Sequence, residues 1–419
     1  MIDATLPQTD TLPEKDRTQW RFAAFVALGG LAVGLLYLSS LWRFDGNGLS
    51  VLSGRLPYWD FTNLWAGSRM ALDGDVALLF DAPAYQAALR AMFSPFLPEQ
   101  EWSYPPSIIL IGAPLATMPI WLAYGIWTLG TITLLHFAIR PLALNVWVHA
   151  AALTSPAVIM NALFGQNGSL TAALIIGGLL AAPRRPVLAG VLFGILTIKP
   201  HLGVLIPVCL IASANWRAFL SAALTGSAIA LATGLIFGFD VWAGFLHETR
   251  PLMTAIMEAE YPQHYHANAL TVFIMARSFG ADVSTAMAAQ LVATLCAVAF
   301  VGWLWRPGNL VEHRKRVLMT ATLTLLSTPY GYSYDAVPMC VAVAFMFVAT
   351  ARPRAVLLAI VWLFPYMLHQ FHFHGIGIGV LMPMLFALWM GADCIRDRMR
   401  AAADNRGLRS YGATALTSA

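Results

Sequence analysis

One carboxylate lies early in the first long polar segment of this chain, which follows an apolar run. Asp60 follows Tyr58 and Trp59, and the apolar run extends from Trp20 to Trp42. A positioned carboxylate can accept a proton from a hydroxyl group, which is the chemistry of a general base. An aspartate before a helix is also a common N-cap. Asp60 is therefore a candidate catalytic base, with a helix cap as the alternative.

A single lysine interrupts the apolar run between Val187 and Ile211. Lys199 is followed by Pro200 and His201. A lysine within a lipid-buried helix is costly, and it usually faces a cavity or a charged partner. Its ammonium group could bind a phosphate group. The alternative is that the long side chain extends to the lipid headgroups.

Further polar side chains lie at turns between apolar runs. Gln166 and Asn167 stand between two glycines, and the amide of Gln166 is not needed for turning. Tyr334 and Asp335 end a segment with three tyrosines, which could stack against a sugar or form an interfacial aromatic belt. Asp335 could also cap the helix that follows. We also predict substrate-binding roles for side chains in other polar segments: Trp65, Tyr104, His201, His369 and His372.

Composition restricts the class of protein. Of the 419 residues, 58% are hydrophobic and 11% are charged, whereas a soluble domain carries about 25% charged residues. The sequence therefore predicts an all-α polytopic membrane protein. The four cysteines have no paired spacing, so no zinc site is expected from them. His369 and His372 have no acidic residue at a spacing that would complete a metal site, so no other metal is expected either. Phosphate-loop, dinucleotide-binding and hydrolase-elbow motifs are absent, and no cofactor or nucleic-acid partner is predicted.

Alternating apolar and polar stretches predict about twelve transmembrane helices. The apolar runs lie near 20–41, 120–139, 142–162, 168–183, 186–199, 201–214, 217–237, 284–305, 317–330, 336–351, 355–373 and 376–394. The run from Ser107 to Met118 is short and contains Pro114, so we interpret it as a re-entrant or interfacial segment. The alternative is that it crosses the bilayer and that 186–199 with 201–214 forms one hairpin.

The distribution of basic residues predicts the sidedness of the chain. Most of the 25 lysine and arginine residues fall on the side of the two termini, which the positive-inside rule makes cytoplasmic. A single integral membrane domain would then have cytoplasmic tails at 1–19 and 395–419. Two longer segments, 43–106 and 238–283, would be external. Apolar residues at helical spacing in the first predict two or three helices on the membrane surface.

Several short segments occur in a fixed order between residues 58 and 340. No single segment identifies a protein family, but their order does. The segments are Asp60-Phe61 with Trp65-Ala66-Gly67, Leu79-Phe80-Asp81, Tyr104-Pro105-Pro106, Pro114-Leu115, Met118-Pro119, Gly165-Gln166-Asn167, Arg185-Pro186, Leu188-Ala189-Gly190, Lys199-Pro200-His201-Leu202-Gly203, and Thr328-Pro329 with Tyr334-Asp335. In this order the chain resembles glycosyltransferase family 87, whose members are polyprenyl-phosphate-sugar-dependent transferases of the GT-C superfamily.

The resemblance implies a GT-C-like fold in the bacterial cytoplasmic membrane, with an active site on the extracytoplasmic side. The implied donor is a polyprenyl-phosphate sugar, typically mannose, and the acceptor is a glycolipid or polysaccharide. Asp60 would act as the general base, and Lys199, with Arg69 or Arg277, would bind the donor phosphate. One displacement would invert the anomeric carbon without a metal. This chain lacks the histidine that follows the corresponding aspartate, at Asp335, in mannosyltransferases of the family.

A flippase for lipid-linked sugars, or another transporter, is the alternative function. Many helices, a buried lysine and proline breaks also occur in transporters. The long polar segment 43–106 argues against this alternative, as does the lack of the paired discontinuous helices expected of inverted repeats. A transporter would move a lipid-linked sugar across the membrane without forming a new bond.

Overall fold

The computed structural model describes residues 14–349 and 355–417, and within these ranges the fold is helical without β-strands. Only two isolated bridges occur there, Phe44 with Ser50 and Ala269 with Tyr332. The predicted all-α class is therefore confirmed. Residues 1–13, 350–354 and 418–419, which include parts of both predicted cytoplasmic tails, lie outside the described residues.

Helices follow one another with short connections along the described part of the chain. The α-helices up to the break at Lys199, and the one directly after it, are α1 (Glu14–Leu41), α2 (Trp59–Leu72), α3 (Ala82–Met92), α4 (Ile109–Ala116), α5 (Ile120–Ile139), α6 (Val146–Leu153), α7 (Pro156–Phe164), α8 (Gly168–Ala181), α9 (Pro186–Ile195) and α10 (Leu205–Ala212). Two of them, α7 and α9, begin with proline, which is favoured at the first helical position because its missing N–H is not needed there.

The remaining helices form the second half of the chain. They are α11 (Trp216–Phe237), α12 (Asp240–Gly244), α13 (Arg250–Glu258), α14 (Val272–Ser278), α15 (Val283–Leu304), α16 (His313–Leu326), α17 (Val337–Ala349), α18 (Ala355–Leu363), α19 (Leu368–Phe373) and α20 (Leu381–Thr417). Short 3-10 turns occur at Val76–Phe80, Pro106–Ile108, Arg140–Leu142, Leu196–Ile198, Pro200–Gly203, His264–Asn268, Ser333–Ala336 and Phe364–Met367, and a π-helical turn at Phe245–Thr249. Helix α20 joins the last predicted crossing and the predicted tail into one helix.

Five helical segments in the described ranges are long and apolar enough to cross a bilayer: Trp20–Leu41, Ile120–Leu142, Val146–Phe164, Trp216–Phe237 and Val283–Leu304. Six shorter apolar helical segments accompany them: Pro106–Ala116, Gly168–Ala181, Pro186–Ile198, Pro200–Ala212, Ser333–Val348 and Ala355–Met367. A membrane protein is therefore supported. About twelve crossings and a re-entrant segment at 107–118 stay predictions.

The first predicted external segment contains the helices expected of it, namely α2, the turn Val76–Phe80 and α3. Their apolar side chains pack within the protein, as Phe61, Leu64 and Leu89 are at most 2% exposed. Helix α2 lies against α4, where a Cβ atom at Gly112 would come within 2.0 Å of the Ser68 hydroxyl oxygen. The protein itself therefore encloses α2, and contact of this segment with the membrane surface stays a prediction.

The long apolar run around Lys199 is broken in the structure. Helix α9 ends at Ile195, and Lys199 has φ −146° and ψ 68°, outside the helical region. Pro200 explains the break, because a proline disfavours the helical conformation of the residue before it. The Ser107 hydroxyl donates a hydrogen bond to the Thr197 carbonyl oxygen at 3.2 Å. Lys199 thus stands at a helix break next to the Pro106–Ile108 turn.

The α7–α8 turn is packed tightly between two other segments. Gly165 has φ +68°, and a Cβ atom there would lie 2.3 Å from the Phe61 Cβ atom. At Gly168 a Cβ atom would lie 2.0 Å from the Tyr334 carbonyl oxygen. Asn161 joins the same parts, because its side chain donates to the Tyr334 carbonyl at 2.5 Å and accepts from the Gly168 N–H at 2.6 Å. This turn therefore brings α2 close to the Tyr334 segment.

Candidate active site

Asp60 lies inside the first turn of α2, one residue after its start. The helix begins at Trp59, and the residue before it, Tyr58, makes no side-chain cap. Asp60 is therefore not the N-cap residue, which removes the structural alternative considered from the sequence. A carboxylate in the first turn is still favoured by the positive end of the helix dipole.

Asp60 is a partly buried carboxylate with a raised pKa. The side chain of Gln166 and the positive charges of Arg55 and Lys199 lie near it, and each of them lowers its pKa. Burial nevertheless dominates and raises the pKa of Asp60 to about 6. Part of the residue remains accessible to solvent. A carboxylate with this pKa can hold a proton or release it near neutral pH.

Lys199 is held by two oxygen atoms from distant parts of the chain. Its Nζ atom donates to the Asp335 Oδ1 atom at 2.6 Å and to the Asn167 Oδ1 atom at 3.2 Å, and it lies 4.9 Å from the centre of the Tyr334 ring. Both Lys199 and Asp335 are buried, at 8% and 2% exposure. The lysine is therefore paired inside the protein, and it does not extend to the lipid headgroups.

Asp335 has a second role in local structure. Its Oδ2 atom accepts a hydrogen bond from the Tyr332 N–H at 3.2 Å, which forms a capping box at the Ser333–Ala336 turn. Asp335 is therefore not an N-cap residue, but as the third residue of this turn it contributes the reciprocal hydrogen bond of the capping box in addition to the ion pair. These bonds orient both carboxylate oxygens, which buried charges need in order to be tolerated.

Three tyrosines, Tyr104, Tyr265 and Tyr334, are close enough to Asp60 to interact with its charge. Burial and the charge of Asp60 raise the pKa of Tyr104 well above its usual value. Tyr265, which is 39% exposed, also interacts electrostatically with Asp60. Tyr334 also interacts electrostatically with Asp60. Protonated tyrosines keep an O–H donor at neutral pH. The site therefore offers hydrogen-bond donors for a polar ligand.

The residues that interact with Asp60 form the site cluster: Arg55, Tyr104, Gln166, Lys199, Tyr265 and Tyr334. Two of them, Arg55 and Tyr265, were not predicted from the sequence. Arg55 lies five residues before Asp60, and its guanidinium group stacks over the Trp59 ring at 4.3 Å. Tyr265 comes from the second long polar segment, where nothing in the sequence distinguishes it from the neighbouring tyrosine Tyr261. The only sequence signal for Arg55 was that it is a basic residue close to the candidate base, Asp60.

Three predicted residues lie outside this cluster. The Trp65 indole N–H donates to the Met118 carbonyl oxygen at 3.0 Å, which fastens α2 to the end of α4. Arg69 pairs with Asp73 at 2.9 Å on the surface, where both side chains are more than 40% exposed. The Arg277 guanidinium group donates to backbone carbonyls on either side of its own helix. The structure thus brings Lys199 to Asp60, and it does not bring Arg69 or Arg277 there.

The predicted histidines differ in their positions. His201 follows the helix break, with its ring 5.9 Å from the Tyr330 ring, and its buried Nε2 atom has no hydrogen-bond partner among the described residues. His372 lies against Tyr261, with ring centroids 5.5 Å apart. The side chain of His369 lies outside the described residues. In the part of the chain that is described, no three His, Cys, Asp or Glu side chains are grouped to hold a metal ion.

Comparison with known proteins gives the family. No curated protein and no solved structure matches the chain. A family model described as Glycosyltransferase family 87 matches residues 102–329, which is more than half of the 419 residues. The match includes Gln166, Asn167 and Lys199, whereas Asp60 and Asp335 lie outside the matched range. The chain belongs to glycosyltransferase family 87, which confirms the resemblance inferred from the order of its sequence segments.

Proposed function

We propose that this membrane glycosyltransferase moves a sugar, in the first instance mannose, from a polyprenyl-phosphate donor to a hydroxyl group of a glycolipid or polysaccharide acceptor. Asp60 is the general base in this proposal. The observation that carries it is the partly buried Asp60 carboxylate, with a pKa of about 6, near Gln166 and the buried ammonium group of Lys199. Membership of glycosyltransferase family 87 indicates that the reaction is the transfer of a sugar.

The reaction is a single displacement. The acceptor oxygen attacks the anomeric carbon, and the bond from that carbon to the phosphate oxygen breaks. The bonding electrons leave with the polyprenyl phosphate, and the Asp60 carboxylate takes the proton of the acceptor hydroxyl group. Attack opposite the leaving group inverts the anomeric carbon. A base with a pKa near the working pH suits this transfer, because it is mostly ionised before reaction and still accepts a proton.

The arrangement around Lys199 supports its role at the donor phosphate. An ammonium group has three N–H donors. Two of them point to Asp335 and Asn167, which leaves one for a phosphate oxygen. The Asn167 Nδ2 atom is buried and, within the described part of the protein, has no partner, so a second donor is available beside it. Arg55 adds a second positive charge near Asp60.

The charge distribution of the sequence supports an extracytoplasmic site in this proposal. Asp60 lies in the polar segment that the positive-inside rule assigns to the extracytoplasmic side. The helix break at Lys199 would lie at the same side under that topology. A donor anchored in the bilayer by its polyprenyl chain could then present its sugar to an acceptor outside the cytoplasm.

The proposal is tested by comparing the glycolipids and polysaccharides of cells with and without this protein by mass spectrometry. We expect one hexose-bearing product to disappear, to return with the wild-type chain, and to stay absent with Asp60→Asn. Purified protein with labelled polyprenyl-phosphate mannose should form the same product. Movement of the labelled lipid across vesicles with no new glycosidic bond would contradict the proposal and favour a transporter.

A further inference from the structure

Two tryptophans lie at the end of the long apolar helix α15. Trp303 belongs to the last turn of this helix, which ends at Leu304, and Trp305 follows directly. The outer face of the helix is apolar and open, with Leu295 56% exposed. Tryptophan is enriched where a spanning helix leaves the hydrocarbon core, because its ring is apolar and its N–H is polar. We therefore expect the end of α15 at the depth of the lipid headgroups.

Each of these tryptophans carries a stacked arginine from another helix. The Cζ atom of Arg316, on α16, lies 5.5 Å from the centre of the Trp305 ring. The Cζ atom of Arg398, on α20, lies 5.3 Å from the centre of the Trp303 ring. Because stacking uses the flat face of a guanidinium group, the N–H donors at its edge stay available. We call these four residues the Trp–Arg surface.

A buried ion pair joins the two helices that carry these arginines. Lys315 precedes Arg316 in α16, and it donates to the Asp393 Oδ2 atom at 2.7 Å. It also donates to Asp397, which precedes Arg398 in α20. Lys315 is only 8% exposed. The helices are thus tied together at the residues next to both arginines, so the two stacked guanidinium groups belong to one surface.

The positive charge of this surface has no counter-charge in the described part of the protein. The described side chains of α15, α16, α20 and the α15–α16 loop include three carboxylates, and all are already paired: Glu312 with Arg314, Asp393 with Lys315 and Arg396, and Asp397 with Lys315. Among the same residues, the buried Nε atom of Arg316 has no hydrogen-bond partner. Partly buried charges of this kind usually have a partner, which must here come from outside the chain.

We propose that the Trp–Arg surface binds the phosphate group of an anionic phospholipid. Guanidinium groups bind phosphate oxygens through paired N–H donors, and basic pockets between membrane helices bind anionic headgroups. The surroundings suit the acyl chains of such a lipid, because Ile395 and Met399 on α20 are 43% and 61% exposed. The bound lipid would bridge α15, α16 and α20. This site is separate from Asp60, and the proposal does not depend on the reaction that the protein catalyses.

Lipid titration of the purified full-length protein tests the site by native mass spectrometry. We expect phosphatidylglycerol to bind, and Arg316→Gln with Arg398→Gln to raise its Kd at least about tenfold, since each basic residue near a headgroup contributes to binding. Arg184→Gln with Arg185→Gln is the matched control, because it removes two exposed charges from the α8–α9 connection. This control should leave the Kd nearly unchanged. Equal losses in the two double variants would overturn the proposal.

Inorganic phosphate and phosphatidylcholine identify the kind of ligand. Inorganic phosphate at the concentration of the lipid should not displace phosphatidylglycerol, and phosphatidylcholine with the same acyl chains should bind more weakly. Displacement by inorganic phosphate would show a site for free anions and overturn the lipid as ligand. Equal binding of phosphatidylcholine would show that the headgroup charge is not recognised, and it would overturn the proposal as well.

Photolabelling of the wild-type protein decides the question if the double variant does not fold. Full-length protein in nanodiscs is irradiated with phosphatidylglycerol that carries a diazirine close to its glycerol group. We expect labels within residues 300–316 and 389–400, which excess unlabelled phosphatidylglycerol removes. Labels spread evenly over the exposed apolar helices, or labels that excess phosphatidylglycerol does not remove, would overturn the site.

Discussion

The Nζ atom of Lys199 lies 2.6 Å from the Oδ1 atom of Asp335, although 136 residues separate the two in the sequence. The pair joins the break between α9 and α10 to the turn before α17. Removing one partner of a buried ion pair costs about 3–5 kcal/mol, because the other charge is left uncompensated. The pair therefore holds in place the ammonium group that we assign to the donor phosphate.

Separate stability and activity measurements distinguish the two roles of this pair. We expect Lys199→Met to lower the unfolding temperature in detergent and to abolish sugar transfer. Adding Asp335→Asn removes the unpaired charge but keeps an oxygen for the Tyr332 N–H, so the double variant should regain most of the stability and no activity. Recovery of transfer in the double variant would show that Lys199 acts only through structure.

Replacement of the proposed base should affect the reaction and leave folding intact. We expect Asp60→Asn to reduce kcat by about 10²–10⁴-fold, the usual contribution of a general base. Asp73→Asn is the matched control, since this exposed aspartate pairs with Arg69 on the same helix at its other end. Sugar transfer assayed with purified proteins checks both variants, and near wild-type activity of Asp60→Asn would exclude it as the base.

The pKa of Asp60 makes a prediction about pH. The ionised form is the base, so kcat/KM should rise with pH through about 6 and level off above it. Because this folded-state pKa is higher than the usual 3.8, ionising Asp60 disfavours folding, and stability should fall as pH rises from about 4 to about 6. Asp60→Asn should remove this loss and be at least as stable as the wild type at pH 7. Thermal unfolding from pH 4 to 8 provides the check.

Arg55 should influence the base electrostatically. Its positive charge lowers the pKa of Asp60, so Arg55→Gln is expected to move the rising limb of the pH–rate profile to higher pH and to weaken donor binding. The surface residue Arg69 serves for comparison, because exposed ion pairs contribute little. Arg69→Gln should leave the profile unchanged. Equal shifts in the two variants would contradict the assignment of Arg55 to the site.

Gly168 tests the tight packing that brings the site together. Gly168→Ala would place a Cβ atom 2.0 Å from the Tyr334 carbonyl oxygen, so the backbone must shift. We expect a loss of about 1–3 kcal/mol in stability, as in other overpacked positions, and at least tenfold slower transfer. Gly125→Ala on α5 has no neighbour within 4 Å and should be neutral or slightly stabilising. Wild-type activity in Gly168→Ala would contradict this role.

Sequence alone determined the class of protein, the family and the main chemical groups. An apolar composition demands helices in a membrane, since backbone polar groups must be paired there. Asp60 and Lys199 stood out because charged groups are costly in such surroundings. The helix break at Lys199 was also foreseeable, because Pro200 acts on its neighbour through local sterics.

Tertiary structure decided which of these groups meet. The pairing of Lys199 with Asp335, the approach of Gln166 to Asp60 and the entry of Tyr265 depend on packing between segments far apart in sequence. Arg55 joined the cluster and Arg69 did not, although both lie within ten residues of Asp60, because Arg55 in the loop before α2 lies near Asp60 whereas Arg69 lies on an exposed part of α2. Local patterns carry no information on such distances, which arise only when the helices pack.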